Sequence, residues 1–107
     1  HRMINTAGEL VAPPTVERAL RSLDEVSDAL VVGVPDERWG QIVAALIVAS
    51  PKGRAQASSM SIEALSEALS DTLAPWEKVR RVLVVDSLPT TTTGKPDPVA
   101  AAGLFDS

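Results

Sequence analysis

The 107 residues include no cysteine, no tyrosine and a single histidine, the terminal His1. Without cysteine there is no disulfide, no thiolate nucleophile and no cysteine-based zinc site. One terminal histidine cannot assemble a histidine metal cluster or a Ser-His-Asp triad. Aromatic residues are 3% of the chain, too few for a platform that stacks nucleic-acid bases. Ten Lys and Arg face fourteen Asp and Glu, so the basic groove of a nucleic-acid binder is missing as well. No apolar run reaches the roughly 18–20 residues of a membrane span. His1-Arg2-Met3-Ile4 carries no signal-peptide core, and the expected setting is soluble and cytoplasmic. With so few side chains able to carry chemistry alone, a complete enzyme in this chain is not expected.

Hydrophobic residues make up 45%, enough for one domain with one modest core. Met3-Ile4 and Leu10-Val11 flank a small hairpin or loop around Gly8. Pro13 and Pro14 suit the first turn of a helix, and Val16, Ala19, Leu20 and Leu23 recur at helical spacing. The valine-rich run Ala29 to Val34, ended by Pro35-Asp36, and the run Ile42 to Ala49 predict strands buried on both faces. Pro35 to Gly40 is the loop between them. Arg54 to Ser59 is expected to be a mobile surface connection. Ser61 is placed to cap a helix carrying Ile62, Leu65, Leu69 and Leu73, closed by Pro75. Val82 to Val85 is a third strand, Leu88 to Lys95 a Pro/Thr/Gly loop, and Pro98 to Leu104 a last short helix. The expected fold is α+β: a small three-stranded sheet with a short N-terminal hairpin and helices packed on it.

Few residues invite a chemical reading. Gly94-Lys95 is not a Walker A loop, because the required glycine and Ser/Thr positions are Pro89 and Pro96. Lys95 on its own reads either as a solvated surface lysine or as a cation that reaches into a partner's active site to stabilise a transferring phosphoryl group. The run Thr90 to Thr93 adds hydroxyls suited to phosphate. Gly8 serves either an ordinary turn or close backbone approach to a ligand. Trp39 serves either as a lid on the core or as a contact residue. Lys78, Arg80 and Arg81 form either a charged strand edge that resists aggregation or a contact for a nucleotide phosphate.

Four blocks in order resemble the adenylate-forming superfamily of acyl- and aryl-CoA synthetases, nonribosomal adenylation domains and firefly luciferase. Gly8-Glu9-Leu10-Val11-Ala12-Pro13 with Val16-Glu17 resembles the segment just past the family's interdomain hinge. Val26-Ser27-Asp28-Ala29-Leu30-Val31-Val32-Gly33-Val34-Pro35-Asp36-Glu37-Arg38-Trp39-Gly40 is similar to its VxDAAVVGVPDExWGE. Leu73-Ala74-Pro75-Trp76 resembles LAPYK, and Leu88-Pro89 to Gly94-Lys95 resembles LPRTxTGK. The resemblance implies the C-terminal lid domain of an acyl-CoA synthetase, spanning 1–107 and beginning at the hinge. It implies a two-step reaction: acid and ATP give an acyl-adenylate, then coenzyme A displaces AMP to give a thioester. ATP and Mg2+ would be held mainly by a large N-terminal domain, the expected partner.

Carried over residue by residue, the resemblance makes Lys95 the adenylation lysine and His1 the hinge residue, where the family usually has Asp or Lys. Gly8 and Glu9 belong to the loop lining the pantetheine channel. Asn5, Leu10, Thr90, Pro96 and Pro98 depart from common family residues. Two alternatives accompany this reading: a domain of an enzyme that loads a carrier protein, and a stand-alone interaction module that has lost catalysis.

Overall fold

A computed structural model describes residues 3–106; His1, the expected hinge, lies outside them. The elements follow in the order β1 (Ile4–Thr6), β2 (Glu9–Val11), α1 (Pro13–Arg21), β3 (Val26–Asp36), β4 (Gly40–Ala49), α2 (Pro51–Ala55), α3 (Ile62–Ala68), β5 (Arg81–Val84) and α4 (Pro98–Gly103). The class is α+β, as expected. The three predicted strands are β3, β4 and β5, and the hairpin β1–β2 joins the same sheet through the bridge Thr6–Gly40, making five strands.

β4 is the hub. It pairs with β3 antiparallel over ten residue pairs, from Val26–Ala49 to Asp36–Gly40. Its other side takes β1 at Gly40 and β5, in parallel, from Ala44 to Ile47. Alternation sends Val43, Ala45 and Ile47 to one face, with Ala29 and Val31 of β3 and Val16, Ala19 and Leu20 of α1. Ile4, Val11, Val26, Ala49, Met60, Leu65, Leu69 and Val79 complete that core. Ala44 and Leu46 meet Leu30, Val32 and Val34 on the other face, under Ala101 and Phe105 from the α4 region. Burial on both faces is why β3 and β4 read as unbroken apolar runs.

Three expectations need correction. β3 does not stop at Val34 but runs through Pro35 and Asp36. The reason lies in its free edge. The Val31 N–H points away from β4 and donates to Glu17 Oε2 at 2.9 Å, while Arg21 Nη1 donates to the Ala29 carbonyl at 3.2 Å. Alternation puts the ring nitrogen of Pro35 on that same outer edge, where no ladder bond is lost. Glu17, Arg21 and Pro35 together blunt the edge against pairing with another chain. Arg54 to Ser59, expected as a mobile connection, instead spans the end of α2 and a 3-10 turn at Ala57–Met60. Ser50 caps α2, accepting from the Gly53 N–H at 3.2 Å and donating to the Asp24 carbonyl at 2.6 Å. The helix capped by Ser61 ends at Ala68 rather than reaching Leu73; Leu69 and Leu73 still pack on the core, but from turns.

Two glycines give opposite predictions. A Cβ at Gly53 would overlap the Glu25 carbonyl oxygen, a backbone atom that cannot swing aside. Helix propensity favours Gly53→Ala by about 1 kcal/mol, but overpacking at such a contact costs about 1–3 kcal/mol, so thermal denaturation should show net destabilisation. Gly103, in α4, has no atom within 4 Å of an added Cβ. Gly103→Ala should stabilise by about 0.5–1 kcal/mol. A higher midpoint for Gly53→Ala would mean that α2 does not abut the Glu25 backbone.

Candidate functional site

The candidate residues fall into two groups. The first is built on the β1–β2 turn. Thr6 pairs with Glu9 across Ala7 (φ 52°) and Gly8 (φ 88°), so both central residues are left-handed, as a two-residue hairpin turn of the right twist requires. Glycine takes this conformation freely; Ala7 does so at a cost of about 1–2 kcal/mol and is the one non-glycine residue with positive φ among those described. Two bonds hold the turn. The Gly8 N–H donates to Asn5 Oδ1 at 3.0 Å, and the Ala7 N–H to the Trp39 carbonyl at 2.8 Å. Asn5 is thus the cap of the Gly8 turn. Its own N–H donates to Gln41 Oε1 at 2.9 Å, which ties the turn to the start of β4. Glu9 is exposed, and none of the ion pairs among the described residues involves it.

Trp39 sits in the β3–β4 turn. Asp36 Oδ2 accepts from the Arg38 and Trp39 N–H groups at 3.0 and 2.8 Å, and Gly40 (φ 83°) closes the turn. The Arg80 guanidinium lies over the Trp39 ring, 4.5 Å from its centre. The structure therefore joins Gly8 and Arg80 through Trp39. The 3-10 turn Pro75–Glu77 lies against β2 beside this group and leads directly into exposed Lys78. Arg81 is differently employed: Nη1 donates to the Phe105 carbonyl at 3.0 Å, and the guanidinium lies over the Phe105 ring. That contact anchors the end of the described chain to β5.

Lys95 belongs to the second group. Residues Pro89 to Asp97 form a miniature hairpin, with Thr90 opposite Pro96 and the Asp97 N–H donating to the Pro89 carbonyl at 3.0 Å. Its tip is a turn from Thr91 to Gly94, closed by Gly94 N–H to Thr91 carbonyl at 2.9 Å, followed by left-handed Gly94 (φ 85°) and Lys95. The Thr91 N–H donates to the Lys95 carbonyl at 2.7 Å. This is the three-residue loop whose bulge calls for glycine. The prolines flanking Lys95 fit this frame. Pro96 occupies an extended arm, and Pro98 is in the first turn of α4, where its missing N–H costs nothing. Asp97 caps that helix, accepting from the Val99 and Ala100 N–H groups at 3.1 Å each.

Lys95 is exposed, and no carboxylate among the described residues pairs with it. It borders a groove of about 750 Å³ between the α4 region and the outer edge of β3, whose walls include Pro13, Glu17, Gly33 and Gln41. Gly8, Trp39 and Arg80 do not line that groove, but Gln41, which holds Asn5 at the base of the first group, does. Thr91 and Thr93 use their hydroxyls on each other, 3.0 Å apart, rather than leaving them all free for a ligand. Sequence reasoning missed the role of Asn5 and that of Gln41. An Asn three residues before a turn glycine is the signal that points to the first; nothing local points to the second. Among the described residues no group of three or more His, Asp or Glu could hold a metal ion. No described helix is long and apolar enough to cross a membrane.

Comparison with known proteins gives a uniform result. Residues 15–95 match the family described as the AMP-binding enzyme C-terminal domain. A medium/long-chain-fatty-acid–CoA/3-oxocholest-4-en-26-oate–CoA ligase of Mycobacterium tuberculosis is 42% identical over 94 residues, 88% of this chain and 16% of that protein. A 4-chlorobenzoate–CoA ligase of Pseudomonas is 38% identical over 93 residues, 87% of this chain and 17% of that one. Among solved structures, a Mycobacterium tuberculosis fatty acyl CoA synthetase superposes with a TM-score of 0.82 at 29% identity, covering 96% of this chain and 19% of that one. The amide bond synthetase McbA of Marinactinospora thermotolerans does so with 0.83 at 33%, covering 96% and 20%. The chain thus spans about a sixth of the length of the curated relatives it matches. With fold, ordered motifs and relatives in agreement, the chain belongs to the AMP-binding enzyme C-terminal domain family of the adenylate-forming CoA ligases.

Proposed function

We propose that this chain is the mobile C-terminal domain of an ATP-dependent acyl-CoA synthetase and that Lys95 is its adenylation lysine. The carrying observation is the presentation of Lys95: an exposed ammonium, unpaired with any described carboxylate, on a hydrogen-bonded hairpin tip. In the first half-reaction a carboxylate oxygen attacks the α-phosphorus of ATP and pyrophosphate leaves. A cation held between the two anions offsets their repulsion and stabilises charge on the transferring group. In the second, the thiol of coenzyme A attacks the acyl carbonyl and AMP leaves. Gly8 and Glu9 line the pantetheine channel on this reading. Lys78 and Arg80, near that turn, are suited to the phosphates of CoA, whereas Arg81 is largely occupied by Phe105.

ATP, Mg2+ and the acid fall to a large N-terminal domain of the same enzyme, and His1 to the hinge between the two. The chemical spread of the relatives, whose names cover fatty, steroid and chlorobenzoate acids on a similar domain, supports this division. A second reading is an acceptor other than free CoA, such as a carrier-protein thiol; the likeness to an amide bond synthetase says only that not every relative with this fold is named for CoA. Paired assays with CoA and with a phosphopantetheine carrier separate the two.

In the full-length enzyme, Lys95→Ala should lower adenylate formation by a factor of about 10² or more. Thioester formation from supplied acyl-adenylate should persist; equal loss of both steps would remove Lys95 from the role. Gly8→Ile should do the opposite. No atom lies within 4 Å of a Cβ there, but the left-handed backbone (φ 88°) strains a branched residue by about 1–2 kcal/mol or more, so an intact adenylation rate is the control that the turn survives. A side chain filling the channel would slow the thioester step and spare adenylation, as measured by pyrophosphate release. Unchanged thioester formation would place the channel elsewhere.

A further inference from the structure

At the hairpin tip that carries Lys95, backbone carbonyls leave the amides of Thr92, Thr93 and Lys95 over, and only that of Lys95 is taken by a side chain. In this loop Gly94 N–H is taken by the Thr91 carbonyl, and the Lys95 carbonyl is taken by the Thr91 N–H. The Lys95 N–H has no backbone partner. It donates instead to the side-chain hydroxyl, Thr91 Oγ1, at 3.3 Å. The same oxygen lies 3.0 Å from Thr93 Oγ1. A hydroxyl has one proton and two lone pairs, so one lone pair can serve Lys95 while the other lone pair or the proton serves Thr93. Thr91 therefore grips Lys95 on both sides of its Cα, by the carbonyl through its own backbone and by the N–H through its side chain.

We infer that Thr91 is a positioning residue for Lys95: its hydroxyl fixes the backbone from which the lysine side chain leaves the hairpin. This rests on the role proposed above for Lys95. The surroundings leave the task to Thr91. Gly94, immediately before Lys95, has open space around it and no side chain to lock its left-handed backbone. The ring of Pro96, immediately after, restricts Lys95 to extended conformations but offers its amide nothing. Threonine suits the position because its branched Cβ restricts the hydroxyl to few rotamers. A lysine placed by a stiff stem arrives near its target with less orientational freedom to lose, which is where misplacement of about 1 Å is expensive in rate.

The test uses the full-length enzyme and four proteins: wild type, Thr91→Val, Thr91→Ser and Lys95→Ala. Valine keeps the branched shape and removes the hydroxyl; serine restores it. Thr91→Val should slow single-turnover adenylate formation about 3- to 10-fold, the range a single net hydrogen bond supports. KM for ATP and acid should stay within about twofold, because the lost interaction belongs to the transition state. Thr91→Ser should recover most of the rate. Thioester formation from supplied acyl-adenylate reports that Thr91→Val is folded. Independently of activity, hydrogen exchange at the Lys95 amide should quicken in Thr91→Val and not in Thr91→Ser. Unchanged adenylation and exchange in Thr91→Val overturn the inference, as does a Thr91→Ser protein as slow as Thr91→Val. If Lys95→Ala is inactive and Thr91→Val is not impaired, only the role of Thr91 falls. If Lys95→Ala adenylates normally, the assignment of Lys95 falls and that of Thr91 with it.

Discussion

The structure depends on β4 being able to pair on both sides and bury both faces at once. Ala44, Ala45, Leu46 and Ile47 are fully buried, and each adjoins β3 on one side and β5 on the other. Only small and aliphatic side chains can meet that condition in two close-packed layers. The functional groups then hang from β4. Its first residues, Gly40 and Gln41, hold β1 and Asn5, and hence the Gly8 turn. Further along, the Val43 carbonyl accepts the Arg80 N–H at 2.8 Å, which sets the guanidinium over Trp39. α4, which follows the Lys95 hairpin, rests on β3, the strand β4 holds in register.

The loops share one construction. A left-handed glycine turns the chain, and a short polar side chain takes an amide the turn leaves free. Asn5 does this for Gly8, Asp36 for Arg38 and Trp39, and Thr91 for Lys95. Each such bond contributes about 0.5–1.5 kcal/mol net, small against the core but large against the freedom of an exposed loop. The loops are thereby stiffened without being buried, which a site that must meet a partner requires.

Much of this was legible beforehand, and the reasons differ by element. β3 and β4 announced themselves because burial on both faces leaves an unbroken aliphatic run. Ser61 was recognisable as a cap because the helix signal is local. The true end of β3 was not, since whether a proline breaks a strand depends on which edge faces a neighbour, and Pro35 faces none. α2 was missed because Lys52, Gly53 and Arg54 carry no apolar period; Ser50 and the contact of Gly53 with the Glu25 backbone hold it, and both are tertiary. Lys95 and Gly8 stood out only through ordered family blocks, since neither spacing nor composition distinguishes a hairpin lysine or a turn glycine. Asn5 and Pro96 looked like departures from the family; the structure gives Asn5 a hydrogen-bonding role and Pro96 a place in the hairpin opposite Thr90.

That the two groups sit on different loops of one sheet has a mechanical consequence under the proposed function. Gly8, Trp39 and Arg80 do not line the groove beside Lys95, although Gln41, which holds Asn5, does. A flexible lysine loop could visit an active site while the channel turn stayed in place, and both half-reactions would then compete for one space. A lysine on a hydrogen-bonded hairpin, on a domain whose sheet holds both groups in one frame, has less freedom to move alone. Bringing it to the acid and ATP means moving the whole body, and withdrawing it moves the Gly8 turn by the same rotation. The motion is then carried by the few residues that join the domain to the rest of the enzyme, as hinge motions are. The rigidity of the Lys95 hairpin and the mobility of the domain are, on this view, two sides of one constraint: the stiffer the presentation, the more completely the order of the two steps is set by rotation rather than by the side chain.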